Sequence, residues 1–170
     1  MMSERYVRGV EIAEQLAADM IVVGADDDDL RPHGVVAALD EPHHVRRLHI
    51  AGGERLLVVA GPDLLEQLDD RLWGYARDAF IPHGKSDAAS AGSQPVLLST
   101  SVEAINGASN VALVDGVWRD EALGFSRTFY FFGSGQLEDA RASWRSLKAR
   151  KDTELRYWKQ DEAGKWVQGP

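Results

Sequence analysis

The sequence predicts an α/β fold in three layers, with helices on both faces of a mostly parallel sheet. Arg55 to Ala60 (RLLVVA) is apolar without alternation, the pattern of a parallel strand buried on both faces. Short strand-like runs alternate with segments of helical spacing along the chain, which implies layered α/β architecture. At 170 residues the chain is long enough for one domain built around one sizeable core.

In chain order, residues 1–20 read as a helix, because Val7, Val10, Ile12, Ala13, Leu16, Ala17 and Met20 recur at helical spacing. Met20 to Ala25 (MIVVGA) reads as a short strand, ended by Asp26 to Asp29. The pattern from Gly34 to Gly53 is mixed; Pro42 breaks any long helix and Gly52-Gly53 makes a stop. After the Arg55 strand, Gly61-Pro62-Asp63 opens a helix continued by Leu64, Leu65, Leu68, Leu72 and Trp73, with Pro in its first turn. Phe80 to Gly84 is a short extended piece, and residues 85–95 (KSDAASAGSQP) form an exposed polar loop. Val96 to Thr100, Asn110 to Asp115 and Thr128 to Phe132 are further strands. A helix then spans Gln136 to Lys151, with Ser134 as its cap. Glu154 to Gln160 returns as a strand, and Lys165 to Gln168 closes a hairpin across Ala163-Gly164. The arrangement is Rossmann-like, with residues 1–170 forming one α/β domain.

Bulk properties exclude several function classes. With no Cys, disulfides, thiolate metal sites and Cys nucleophiles are ruled out. No apolar run reaches the roughly 18 residues that cross a bilayer, and the N-terminus lacks a basic leader with an apolar core. A cytoplasmic protein without membrane attachment is the expectation. The formal charge of -8 argues against broad contact with nucleic acid, which needs a wide basic surface.

The helix from Gln136 to Lys151 runs against that acidity. Arg141, Arg145, Lys148, Arg150, Lys151, Arg156 and Lys159 face only Asp152 and Glu154 between positions 141 and 159. Leu137, Ala140, Trp144 and Leu147 share one helical face, and Arg141, Arg145 and Lys148 form the adjacent row. Two readings stay open on spacing alone: Trp144 in the core with a solvated charged rim, or a patch for something both anionic and apolar.

Motifs for catalysis are weak. Gly84-Lys85-Ser86 matches the end of a phosphate-binding loop, but Ala79 stands where the first Gly belongs and a polar loop follows instead of a helix. Gly133-Ser134-Gly135 lacks the spacing of a nucleophile elbow. Four consecutive Asp at 26–29 point in different directions and suit a solvated loop better than a cation site. His43 and His44 are adjacent, unlike the helical zinc pattern, and His33, His49 and His83 have no evident carboxylate partner in sequence. Asp40, Glu41 and His43 remain a set that folding can bring together. No metal, cofactor or catalytic residue is expected.

Two segments resemble the chi subunit family of bacterial DNA polymerase III. In the first, Gly53 and Arg55 to Val59 match a Gly-x-Arg-x-Leu-Val strand, Leu68-Asp69 and Leu72-Trp73 match a helix end, and Phe80-Ile81-Pro82-His83 matches a Phe-x-Pro-His turn. In the second, from Phe131 to Gln160, an aromatic strand end precedes the basic helix and a Tyr-Trp-Lys-Gln strand. The resemblance covers most of residues 53–168. It implies a non-enzymatic subunit that links the clamp-loader complex of the replicative polymerase to single-stranded-DNA-binding protein by gripping that protein's acidic C-terminal tail, which ends in Pro-Phe. Contact with DNA would be indirect. By position, Arg141, Trp144 and Arg145 correspond to the family's tail-binding residues, with Lys148 and Phe132 as looser placements. A second family surface, for a psi-type subunit or a helicase-like partner, corresponds to Trp73 and Phe80.

The alternative class is a nucleotide-binding or hydrolytic α/β enzyme built around Gly84-Lys85-Ser86, and a third reading has Trp144 and Tyr157 stacking on single-stranded DNA. Residues 1–50 depart from the family pattern. Where a Phe-Tyr-x-Leu first strand belongs, the chain has Leu30-Arg31-Pro32-His33, and Pro32 removes a ladder donor. Either MIVVGA replaces that strand in a divergent N-terminal segment, or the reading frame or start before residue 50 is altered. In the second case the sheet would lose a strand and expose an edge.

Overall fold

The structure, a computed structural model, describes residues 19–24, 55–74, 81–161 and 166–169. Residues 1–18 of the helix predicted over 1–20, the Asp26–Asp29 loop, the mixed pattern of 34–53, Pro32, His33, Asp40, Glu41, His43, His44, His49, Phe80 and the Ala163-Gly164 turn lie outside them.

Eight strands form one sheet in the order β3-β4-β2-β5-β6-β1-β7-β8. They are β1 (Asp19–Gly24), β2 (Leu56–Val59), β3 (His83–Lys85), β4 (Val96–Ser99), β5 (Asn110–Leu113), β6 (Arg127–Phe132), β7 (Glu154–Gln160) and β8 (Trp166–Gln168). The five strands from β3 to β6 in this order run parallel. The remaining three join antiparallel at the β6 side. Helix α1 (Pro62–Gly74) and helix α2 (Leu137–Lys148) complete the elements the site needs.

The apolar run of β2 explains its central place. Leu57 and Val59 point into one core, Val58 and Ala60 into the other, so both faces of this strand need cover. Leu65 and Leu68 of α1 close the Val58 side, while Ala140 and Leu147 of α2 close the Leu57 side. One helix on each face gives the three expected layers. Pro62 opens α1, where a missing N–H costs nothing.

Arg55 just before β2 is structural. Its guanidinium donates to the carbonyls of Gly92, at 2.9 Å, and Asn106, tying two loops to the start of the strand. Buried Asn106 in turn donates to the Gln94 carbonyl at 3.0 Å and accepts from the Ala108 N–H at 3.2 Å. The 85–95 stretch is therefore less open than its composition implies: Ala91 is buried at the start of a 3-10 turn, Ala91–Ser93.

β1 departs most from a local reading. It begins at Asp19, so the last two residues of the expected N-terminal helix belong to a strand. Each of its residues pairs with both β6 and β7, Ile21 for example lying opposite Tyr130 and Tyr157. The Met20–Gly24 part of MIVVGA thus fills an interior place in the sheet, and no strand is lost between β6 and β7.

Candidate functional site

Helix α2 starts from a braced turn. Gly133 is followed by a 3-10 turn, Ser134–Gln136. The Gln136 side chain accepts from the Gly133 N–H at 2.8 Å, and the Gln136 N–H donates to the Gly133 carbonyl at 3.0 Å. Ser134 is exposed and makes no capping bond, so the expected cap is replaced by this reciprocal pair, which spans it from Gly133 to Gln136. Gly116, at φ +73°, lies directly against Gln136: a Cβ there would stand 2.7 Å from its Cγ and Cδ. The Tyr130 hydroxyl donates to the Gly116 carbonyl at 2.9 Å, and burial pushes that phenol's pKa up. The flanking Arg119 guanidinium makes two bonds to Asp115, at 2.7 and 2.9 Å. Burial raises the Asp115 carboxyl, but the hydrogen bonds and charge of Arg119, with the Val117 amide, outweigh it and hold the group below its ordinary value.

Along α2 the predicted faces are present. Ala140 and Leu147 are buried, Leu137 and Trp144 are half-buried against the same core, and Arg141, Arg145 and Lys148 are exposed. Glu138 and Asp139 in the first turn and Arg145 and Lys148 in the last complement the helix dipole. Arg141 is bridged to Glu138 at 2.7 Å, an exposed pair that releases its cation at little cost. Among the described residues Arg145 and Lys148 make no ion pair. Arg150 is taken up by Asp152 at 3.0 Å.

A cavity of about 350 Å³ opens between α2 and the sheet, lined by Phe132, Arg141, Trp144, Lys148 and Tyr157, with Leu137 and Ala140 behind them. Strand alternation brings Phe132 and Tyr157 here: both belong to the core face beneath α2, and Ile21 of β1 spaces Tyr130 from Tyr157. Four of the five expected tail-binding residues therefore share one cavity. Arg145 does not line it: four residues on from Arg141, it stands about 40° further round the helix, on the side away from Trp144, and is exposed. Tyr157 is a wall that the expected tail-binding residues do not include, although the single-stranded-DNA reading pairs it with Trp144. Alternation of Leu155 and Tyr157 in ELRYWKQ was the available signal, but nothing local told which face meets α2. A second cavity of about 330 Å³ adjoins the first and shares Trp144, Lys148 and Tyr157 with it.

A separate cluster on the α1 side accounts for the Leu-Asp-x-x-Leu-Trp and Pro-His motifs. Buried His83 has Nδ1 2.8 Å from the Ile81 carbonyl, Nε2 3.3 Å from Asp69 Oδ1, and its ring 4.9 Å from that of Trp73. The Nε2 contact has ion-pair distance without hydrogen-bond direction. His83 thus does have a carboxylate neighbour, contrary to the sequence reading, because α1 lays Asp69 across the start of β3. Trp73 remains 65% exposed, and Phe80 lies outside the described residues.

Lys85 is engaged in the same cluster. Its ammonium bonds Glu66 at 2.6 Å and approaches Asp69 at 3.4 Å, and the Glu66 bond chiefly holds its pKa above the ordinary value. Residues 83–85 form a strand, and turns follow where a phosphate loop needs a helix N-terminus. Gly84-Lys85-Ser86 is not a nucleotide site. Among the described residues no three His, Cys, Asp or Glu side chains gather as metal ligands, and no helix is long and apolar enough to cross a membrane.

The fold and site define a class: an α/β domain carrying a basic, aromatic-walled cavity, with its phosphate-loop look-alike closed off by carboxylates. The chain belongs to the DNA polymerase III chi subunit (HolC) family, whose model matches residues 42–153, about two-thirds of its length. It is accordingly a non-catalytic accessory subunit in DNA replication, and the alternative of a nucleotide-dependent or hydrolytic enzyme falls away. The matched span holds Phe132, Arg141, Trp144, Arg145 and Lys148, as well as Trp73 and Phe80, whereas β1 and Tyr157 lie beyond it. No curated protein matches the chain.

Proposed function

We propose that this protein is the subunit through which the polymerase III holoenzyme grips the acidic C-terminal tail of single-stranded-DNA-binding protein. One observation carries the reading. The cavity sets aromatic walls, Phe132, Trp144 and Tyr157, beside the cations of Arg141 and Lys148. An aromatic side chain bearing a free carboxylate, as at a chain end in Pro-Phe, fits both halves of that chemistry. The ring buries apolar area against the walls, and the carboxylate accepts charge-assisted bonds from Arg141 or Lys148. Arg145, exposed outside the cavity, acts at longer range on the acidic residues further up the tail.

The exposed Trp73, with Phe80, forms the second partner surface, which meets a psi-type subunit or a helicase-like protein of the clamp-loader assembly. In this reading residues 1–170 form one chi-like domain, it works in the cytoplasm and meets DNA only through its partners. The test is a pull-down on single-stranded-DNA-binding protein with and without its C-terminal tail. Retention of the intact protein and loss of the tail-less one is the expected result; equal retention of both would remove the reading.

A further inference from the structure

One small residue interrupts the apolar row of α2. Leu137, Trp144 and Leu147 are large, and Ala140 stands among them with a single methyl group. Leu137, Ala140 and Trp144 are neighbours on one face at three- and four-residue spacing. Helical side chains lean toward the N-terminus, so Trp144 leans over the turn that carries Ala140. The first cavity lies where this gap in the row faces the sheet.

Exposure orders that cavity by depth. Ala140 and Phe132, each 2% exposed, form its floor. Leu137, Trp144 and Tyr157 are half-buried and form its walls, while Arg141 and Lys148 are exposed at its mouth. The Ala140 carbonyl is taken up inside α2, and Phe132 lies in the ladder with Asp19 of β1. The floor therefore presents a methyl group and an aromatic ring.

We propose that Ala140 is the specificity-determining residue of this site: its small side chain makes the room that a terminal phenyl ring occupies, and the floor it forms with Phe132 rejects a ring with a polar end. The inference rests on the reading of the cavity as a peptide-terminus site. The depth order fixes the orientation of the occupant. A terminal residue whose carboxylate stays with the cations at the mouth sends its side chain down to the floor. Phenylalanine buries its ring there, whereas tyrosine would carry a hydroxyl against the Ala140 methyl and the Phe132 ring, with a loss of roughly ten- to hundred-fold in affinity. A leucine at position 140 would stand in the ring's place. Leucine is close to alanine in helix propensity, and it would fill space already open, so the site is lost without cost to the fold.

The test is titration of the full chain, wild type and Ala140→Leu, with acidic nonapeptides ending in Asp-Ile-Pro-Phe, Asp-Ile-Pro-Tyr or Asp-Ile-Pro-Ala, beside thermal melts of both proteins. Wild type is expected to prefer Phe to Tyr, and Phe to Ala, by roughly ten-fold or more. Ala140→Leu is expected to bind the Phe and Ala peptides alike, through the charged contacts at the mouth that both retain. Its melting temperature stays at or above that of wild type. The comparison of Phe with Tyr is made on wild type alone, so it decides even where the variant fails to fold. Equal affinity of wild type for Phe and Tyr, or a preference for Phe undiminished in Ala140→Leu, would overturn the inference and leave the terminus site standing. An equal loss for all three peptides together with a lowered melt would make Ala140 a packing residue and overturn it as well. If wild type binds none of the peptides, the terminus site falls and this inference with it.

Discussion

Gly116 and Gly107 make a matched pair that isolates the brace beneath α2. Both adopt positive φ, +73° and +71°, so any Cβ at either position costs about 1–2 kcal/mol of backbone strain. At Gly107 a Cβ meets nothing within 4 Å, and strain is the whole cost. At Gly116 it would stand 2.7 Å from Gln136 Cγ and Cδ. Gln136 relieves that clash by rotating, which breaks its 2.8 Å bond from the Gly133 N–H. That bond adds about 0.5–1.5 kcal/mol, so Gly116→Ala loses about 1.5–3.5 kcal/mol in total. At about 2–4 °C per kcal/mol for a chain of this size, the Tm of Gly116→Ala falls by roughly 3–14 °C and that of Gly107→Ala by roughly 2–8 °C. Urea unfolding of both variants at one temperature gives the comparison directly. Because α2 carries Arg141 and Trp144, tail affinity also falls a few-fold in Gly116→Ala and stays unchanged in Gly107→Ala. Equal loss of stability in the two variants, with equal affinity, would refute the brace.

Other expectations follow from the same contacts. The Asp115 carboxyl is depressed in the folded state by Arg119, so this pair stabilises above the unfolded value of about 3.9 and that stability is lost as pH falls through the lower folded value. With side chains only 15% and 21% exposed, the bidentate pair contributes about 1 kcal/mol, read as the wild-type minus Asp115→Asn stability gap at pH 7, which closes as pH falls below the depressed folded value. Leu147→Ala, at a position 2% exposed, costs about 2–5 kcal/mol in chemical denaturation, whereas Arg145→Ala stays within about 0.5 kcal/mol. ATP with magnesium leaves the thermal melt unmoved in wild type and Lys85→Ala alike, because Glu66 and Asp69 already occupy that ammonium.

Much of this architecture is legible in local pattern. The unalternating apolar run marks β2 as a two-faced strand, Pro62 marks the start of α1, and the spacing of Leu137, Ala140, Trp144 and Leu147 marks the buried face of α2. β7 occupies the predicted Glu154–Gln160. What escaped depends on contacts between distant segments. The interior place of β1 arises from pairing with β6 and β7, more than 100 residues away in sequence, and no local signal encodes it. The Asp69 neighbour of His83 exists only once α1 packs beside β3. Ala91 looked exposed among polar neighbours because the Arg55 staple that pulls its loop inward comes from the start of β2, distant in sequence. Helical spacing grouped Arg145 with Arg141 and Lys148, yet the cavity ends before Arg145, since its width is set by the sheet beneath and not by the helix. Tyr157 joins the site for the same reason.

The most direct test of the account is titration of the full chain with a fluorescent acidic peptide ending in Asp-Ile-Pro-Phe, in wild type, Arg141→Ala, Trp144→Ala and Arg145→Ala. Loss of a charge-assisted contact or of an aromatic wall weakens binding about ten-fold or more in the first two variants. Arg145→Ala weakens it less than about three-fold, as expected of an exposed charge outside the cavity. Affinity that is absent in wild type, or unchanged by Arg141→Ala and Trp144→Ala, would contradict the assignment of this cavity to a peptide terminus.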